Sequence, residues 1–70
     1  MVVLVTAGAT SQVSALLIDE SEHGFRARHP YGGFQPGDKV SFIHRFREGV
    51  ARVIWNKAAG SEFETGFAYF

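Results

Sequence analysis

Apolar and polar residues alternate with a period of two along most of the chain, the pattern of strands with one face on a core rather than of helices. Val2-Val3-Leu4-Val5 is a β-branched run that ends in the turn-like stretch Thr6-Ala7-Gly8-Ala9-Thr10. From Gln12 the chain alternates, with Gln12 and Ser14 on one side and Val13, Ala15 and Leu17 on the other. Its end, Leu16-Leu17-Ile18, is apolar on both sides, as in a strand covered on both faces. Polar residues fill Asp19 to His23, and Gly24 then opens a second alternating stretch, Phe25-Arg26-Ala27-Arg28-His29. Pro30, Gly32, Gly33, Pro36 and Gly37 mark residues 30–38 as a loop with several turn signals.

The second half repeats the alternation. Lys39 to Phe46 predicts a strand with Val40, Phe42 and Phe46 in phase, and Glu48-Gly49 supplies the glycine that a tight hairpin turn demands. Val50 to Trp55 runs back as its partner, with Trp55 in phase with Ala51 and Val53 and so expected to pack at the core or its rim. Asn56 to Ser61 reads as a connection and Phe63 to Phe70 as the last strand. Ser61-Glu62-Phe63-Glu64 fits a helix capping box, but the alternation after it argues against a helix. Short strands at roughly 8–12-residue spacing predict an all-β fold, a small antiparallel β-barrel, in which closure removes the edges such Phe- and Val-rich strands would expose.

Composition sharpens this picture. At 70 residues the chain is one domain, 1–70, and its 46% hydrophobic and 14% aromatic content is what so short a chain needs to fill a core. Cysteine is absent, which excludes a disulfide scaffold and thiolate metal sites. No apolar run approaches the ~20 residues that span a bilayer. Met1 to Ala9 has no basic flank and too short an apolar stretch for a signal peptide, so a cytoplasmic protein with no membrane insertion is expected.

The seven basic and seven acidic residues cancel, which argues against nonspecific capture of a nucleic acid polymer. Their distribution is uneven. All the basic residues lie between Arg26 and Lys57, where only Asp38 and Glu48 oppose them and leave +5, so one side of the surface could hold a small anion.

Residue types and spacings bear on several chemistries. His23, His29 and His44 share no metal-ligand spacing, and no metal site is expected. Asp19, Ser21 and His23 are triad residue types, but positions i and i+2 on one strand sit roughly 6.5 Å apart, too far for a working relay, and no nucleophile elbow is present. No catalytic residues are expected, and the chain reads as a non-enzyme. Phe42, Arg45, Phe46, Arg47, Arg52 and Trp55 interleave bases with aromatics in the manner of single-strand binders, yet seven Phe are needed mostly for the core. The more specific signal is Asp19-Glu20-Ser21-Glu22-His23-Gly24. Asp and Ser there cap turn N–H groups in the ordinary way. They also suit recognition, because a carboxylate accepts two donors side by side, as a guanine edge presents them.

Asp19-x-Ser21-x-x-Gly24 resembles the D/N-x-S-x-x-G motif of PilZ domains, bacterial receptors for cyclic di-GMP. Phe25-Arg26-Ala27 resembles the strand after that motif, and Gln35-Pro36-Gly37-Asp38-Lys39-Val40-Ser41-Phe42 the family's "l-x-G-d-x-V" entry. Ala51-Arg52-Val53-Ile54-Trp55 is similar to its "A-R-V-x-W" strand, and Glu64-Thr65-Gly66-Phe67-Ala68-Tyr69-Phe70 to its closing strand. The likeness spans roughly residues 12–70 and implies a six-stranded antiparallel barrel with cyclic di-GMP as a regulatory ligand and no other cofactor. It also implies that Asp19 and Ser21 bond guanine and that Gly24 lets the base approach. The family's R-x-x-x-R motif before the first strand has no counterpart, since no arginine precedes Arg26. Arg26 and Arg28, on one face just past the motif, are the residues left to hold phosphate.

Two functions are compatible with this: a cyclic di-GMP receptor domain, or a degenerate adaptor that kept the barrel and binds a protein partner. Pairing into a homodimer through the edge of the short first strand is a further expectation.

Overall fold

The computed structural model of the chain describes the backbone of residues 2–6 and the whole of residues 12–70. Every regular element among the described residues is a strand: β1 (Val2–Thr6), β2 (Gln12–Glu20), β3 (Gly24–His29), β4 (Lys39–Ile43), β5 (Glu48–Ala59) and β6 (Glu62–Tyr69). All pairings are antiparallel, in the order β1-β2-β3-β6-β5-β4, and β4 returns to pair with β1 so that the sheet closes on itself. The all-β antiparallel architecture read from the alternation is the one observed. The remainder of the turn-like stretch after Thr6 lies outside the described residues.

Inward positions supply the core. Val13, Ala15, Phe25, Ala27, Val40, Phe42, Ala51, Val53 and Phe67 are buried, while their neighbours Ser14, Arg26, Arg28, Ser41 and Arg52 are exposed. Phe25 stacks on Phe67 with ring centroids 4.7 Å apart and lies 5.0 Å from Phe42. Phe34, from the 30–38 loop, closes one end of the barrel, its ring centroid 5.7 Å from that of Phe67 in an edge-on contact.

Four local expectations are corrected. The strand expected through Phe46 stops at Ile43, and the turn falls at His44–Arg47, whose main chains exchange hydrogen bonds of 3.0 and 3.3 Å. There the His44 Nδ1 accepts the Phe46 N–H (3.1 Å), which gives that donor a partner outside the strand ladder. Glu48-Gly49, read as the turn, is the start of β5, with Gly49 opposite Phe42. Asn56 to Ala59, read as connection, extend β5, because Asn56 and Lys57 find cross-strand partners in Thr65 and Glu64; only Gly60-Ser61 turn, with Gly60 at φ +67° as a two-residue hairpin requires. Finally, β1 is paired along both sides, to β2 and β4, so the free edge on which strand-paired dimerisation was expected is not open there.

Two bulges set up the site. One extra residue, Ile18, interrupts the β2–β3 register between Leu17 and Asp19, and Ile54 does the same in β5 between Val53 and Trp55. Because side-chain direction has a period of two, each insertion swaps the faces of the residues after it. Asp19 and Trp55 are thereby turned outward, and Glu20 and Asn56 inward.

Candidate functional site

A cross-strand row results from those bulges. Asp19 on β2 is opposite Arg26 on β3, Arg26 is opposite Gly66 on β6, and Gly66 is opposite Trp55 on β5. Gly66 makes the row concave: a Cβ there would lie 2.4 Å from the Trp55 ring atoms, so the indole lies down over the glycine. Trp55 is therefore half-buried on the outer face and not in phase with Ala51 and Val53, which corrects the reading of it as core or rim packing by alternation.

The row floors an open cavity of about 400 Å³ whose lining includes Asp19, Glu20, Ser21, Gly24, Arg26 and Trp55. Four of the five residues singled out as ligand-binding thus meet at one place. The fifth, Arg28, shares the outer face of β3 but lines a neighbouring cavity with Ser14, Leu16 and Glu62.

Each of the four also has a structural task. Asp19 takes the Arg26 guanidinium in a forked contact, with Nε donating to Oδ1 at 2.9 Å and to Oδ2 at 3.1 Å while Nη2 donates to Oδ2. Those hydrogen bonds hold the Asp19 carboxyl below the usual carboxylate range and raise Arg26. Arg26 Nη1 lies 3.6 Å from Glu64, which also has Arg28 at 3.8 Å and Lys57 at 3.9 Å and is buried beneath these three cations. The Ser21 main-chain N–H donates to Gly24 O (2.9 Å), and Ser21 Oγ accepts the His23 N–H at 3.3 Å, so the hydroxyl braces the β2–β3 turn. Gly24 has no room for a side chain, since a Cβ would lie 1.9 Å from the Phe67 carbonyl oxygen.

Glu20 has no assigned role in the sequence pattern. Turned inward by the Ile18 bulge, it accepts the Tyr69 hydroxyl at 2.8 Å, and the Tyr69 oxygen is 2.8 Å from His44 Nε2. Burial and the Glu20 carboxylate push the Tyr69 hydroxyl up to about 12. Glu20 thus joins the cavity to a buried histidine. An isolated glycine within a strand, such as Gly66, is the signal that could have pointed to a close approach there. The bulges leave no such mark.

The remaining candidates separate. His23 is exposed beside Glu22 (3.4 Å), His29 and His44 are buried, and the triad types Asp19, Ser21 and His23 are each engaged elsewhere. No group of three or more metal-ligating side chains converges among the described residues, nor is any helix there long and apolar enough to cross a membrane. No family model, curated protein or solved structure matches the chain.

Proposed function

We propose that the chain is a non-catalytic receptor domain of the PilZ type, taking cyclic di-GMP at the cavity built on Asp19, Ser21, Gly24 and Arg26. The observation that carries this reading is the forked Asp19–Arg26 contact at an open cavity. A guanidinium offers parallel N–H donors, and a guanine edge offers the same pair to the same carboxylate. Arg26 therefore fills in the free protein the place a guanine takes in the complex. On ligand entry it moves toward Glu64, already 3.6 Å away, or onto a phosphate oxygen of the ligand. The half-buried Trp55 indole and the hollow at Gly66 shape the rest of the floor. Six antiparallel strands in a closed PilZ-like barrel fit this reading, as does a cytoplasmic signalling role.

Isothermal titration with cyclic di-GMP tests it. Binding by the wild type that weakens at least about tenfold, or ~1.4 kcal/mol, in Asp19→Ala is expected. No heat at high micromolar protein and ligand would overturn it. The second reading, an adaptor that binds a protein and no nucleotide, is favoured by a separate observation: Asp19, Ser21 and Gly24 all serve the fold as they stand.

A further inference from the structure

The seven basic side chains fall into two groups. Arg26, Arg28 and Lys57 gather around Asp19 and Glu64. Lys39, Arg45, Arg47 and Arg52 have no carboxylate within 4.0 Å among the described residues, and each lies instead over an aromatic ring. Arg47 is 4.0 Å from the Tyr69 ring centroid, Arg52 and Lys39 are 4.7 and 5.3 Å from that of Phe70, and Arg45 is 5.2 Å from that of Phe46.

These cations border apolar surface. Ile43 is 58% exposed, Phe46 63% and Val50 41%, and an open cavity of about 460 Å³ lies against Ile43, Phe42, Gly49 and Val50, with Gln12, Ser41 and Glu48 at its polar side. Exposed aliphatic and aromatic side chains beside unpaired arginines are what the centre of a protein interface contains. Glu48 is the one acid in β4 and β5.

We propose that the outer face of β4, the 44–47 turn and the first part of β5 docks an acidic protein segment with apolar anchors. The anchors fill the hollow at Ile43 and Val50, and the carboxylates meet Arg47, Arg52 and Lys39. Charge complementarity selects the acid. At the hollow itself the exposed apolar side chains, Ile43 and Val50, are aliphatic, which suits the side-chain anchors of a peptide rather than the stacked bases of a single-stranded nucleic acid. Because β4 is paired on both sides, docking is through side chains and not by strand addition. The proposal does not depend on nucleotide binding at Asp19.

The test is an NMR titration of the isotope-labelled full chain with a synthetic peptide alternating Glu with Leu and Phe. Controls are a peptide with Gln in place of Glu, one with Ser in place of Leu and Phe, oligo(dT), and phosphatidylglycerol vesicles. Saturable shifts confined to residues 39–54 and the adjoining Gln12, Tyr69 and Phe70 are expected with the first peptide. Affinity should fall at least about tenfold for either control peptide and for Arg47→Glu/Arg52→Glu. Lys39→Glu, which leaves the Arg47–Tyr69 contact in place, should weaken binding in the same direction, and Arg28→Gln should not. Equal binding of the Gln peptide, shifts elsewhere, or engagement of this face by oligo(dT) or vesicles but not by the peptide would overturn the proposal.

Discussion

Two histidines are buried towards opposite ends of the barrel, and they are wired alike. His29 Nδ1 accepts the main-chain N–H of Tyr31, two residues on, and His44 Nδ1 accepts that of Phe46, also two residues on. In the neutral ring the proton therefore sits on Nε2 in both, which donates to a β6 hydroxyl: Thr65 at 2.6 Å for His29 and Tyr69 at 2.8 Å for His44. The chains differ in where they end. Thr65 donates to the Asn56 amide oxygen at 2.6 Å, whereas Tyr69 donates to the Glu20 carboxylate. They also differ in surroundings: both histidines are buried and both end groups, Asn56 and Glu20, are half-buried, but Thr65 is fully buried where Tyr69 is half-buried, and Glu20 lines the cavity. One local design thus serves two purposes: sealed and neutral, it satisfies a buried polar group; opened onto a carboxylate, it ties a turn to a candidate binding site.

Removing the hydroxyls should separate the two most strongly. Thr65→Val leaves the His29 Nε2–H unpaired in a dry interior and should cost about 2 kcal/mol in urea unfolding. Tyr69→Phe removes two hydrogen bonds of similar length, but water reaches Glu20, and a loss of about 1 kcal/mol is expected. If Tyr69→Phe proved the more damaging, the Glu20 end would be the sealed one and the contrast would be inverted.

Acid should affect both chains in the same direction. Burial holds the His29 and His44 pKa values below the ordinary 6.5, and protonating either Nδ1 would set N–H against N–H. The unfolded chain then binds the extra protons first, so these groups contribute stability above pH about 6.5 that is lost as pH falls through their folded pKa values. Unfolding free energy measured against pH should be flat just above pH ~6.5 and decline below it. The lowered Asp19 adds a separate loss below its ordinary 3.8.

The smallest effect is the most selective. Glu20→Gln removes the negative charge that favours His44 protonation, so the His44 pKa should drop further while His29 does not move. Imidazole resonances followed by NMR through the titration would show this, and a shift at His29 would mean that the ends communicate through the core.

Much of this is legible residue by residue. The alternation at Gln12–Leu17, Phe25–His29 and Val40–Phe42 places strands and core, because a strand needs only a period and a sign. Asp19, Ser21, Gly24 and Arg26 can be named because they lie within eight consecutive positions, and the bend between β2 and β3 keeps them close. Alternation alone puts Trp55 on the wrong face, since its phase depends on an extra residue at Ile54 that only the register against β6 reveals. Alternation also groups Arg28 with Arg26, yet the row across the sheet, not the face of one strand, decides which cavity a side chain enters.

What the sequence determined by itself is the class of structure and the identity of the chemical groups, because period and side-chain type are local properties. The tertiary structure decided their company: the bulges at Ile18 and Ile54, the Arg26 clasp on Asp19, the Glu20–Tyr69–His44 chain and the separation of paired from unpaired cations. Each of these depends on which residues of distant strands lie opposite one another. Register is fixed by packing the whole closed sheet at once, and no single strand carries it.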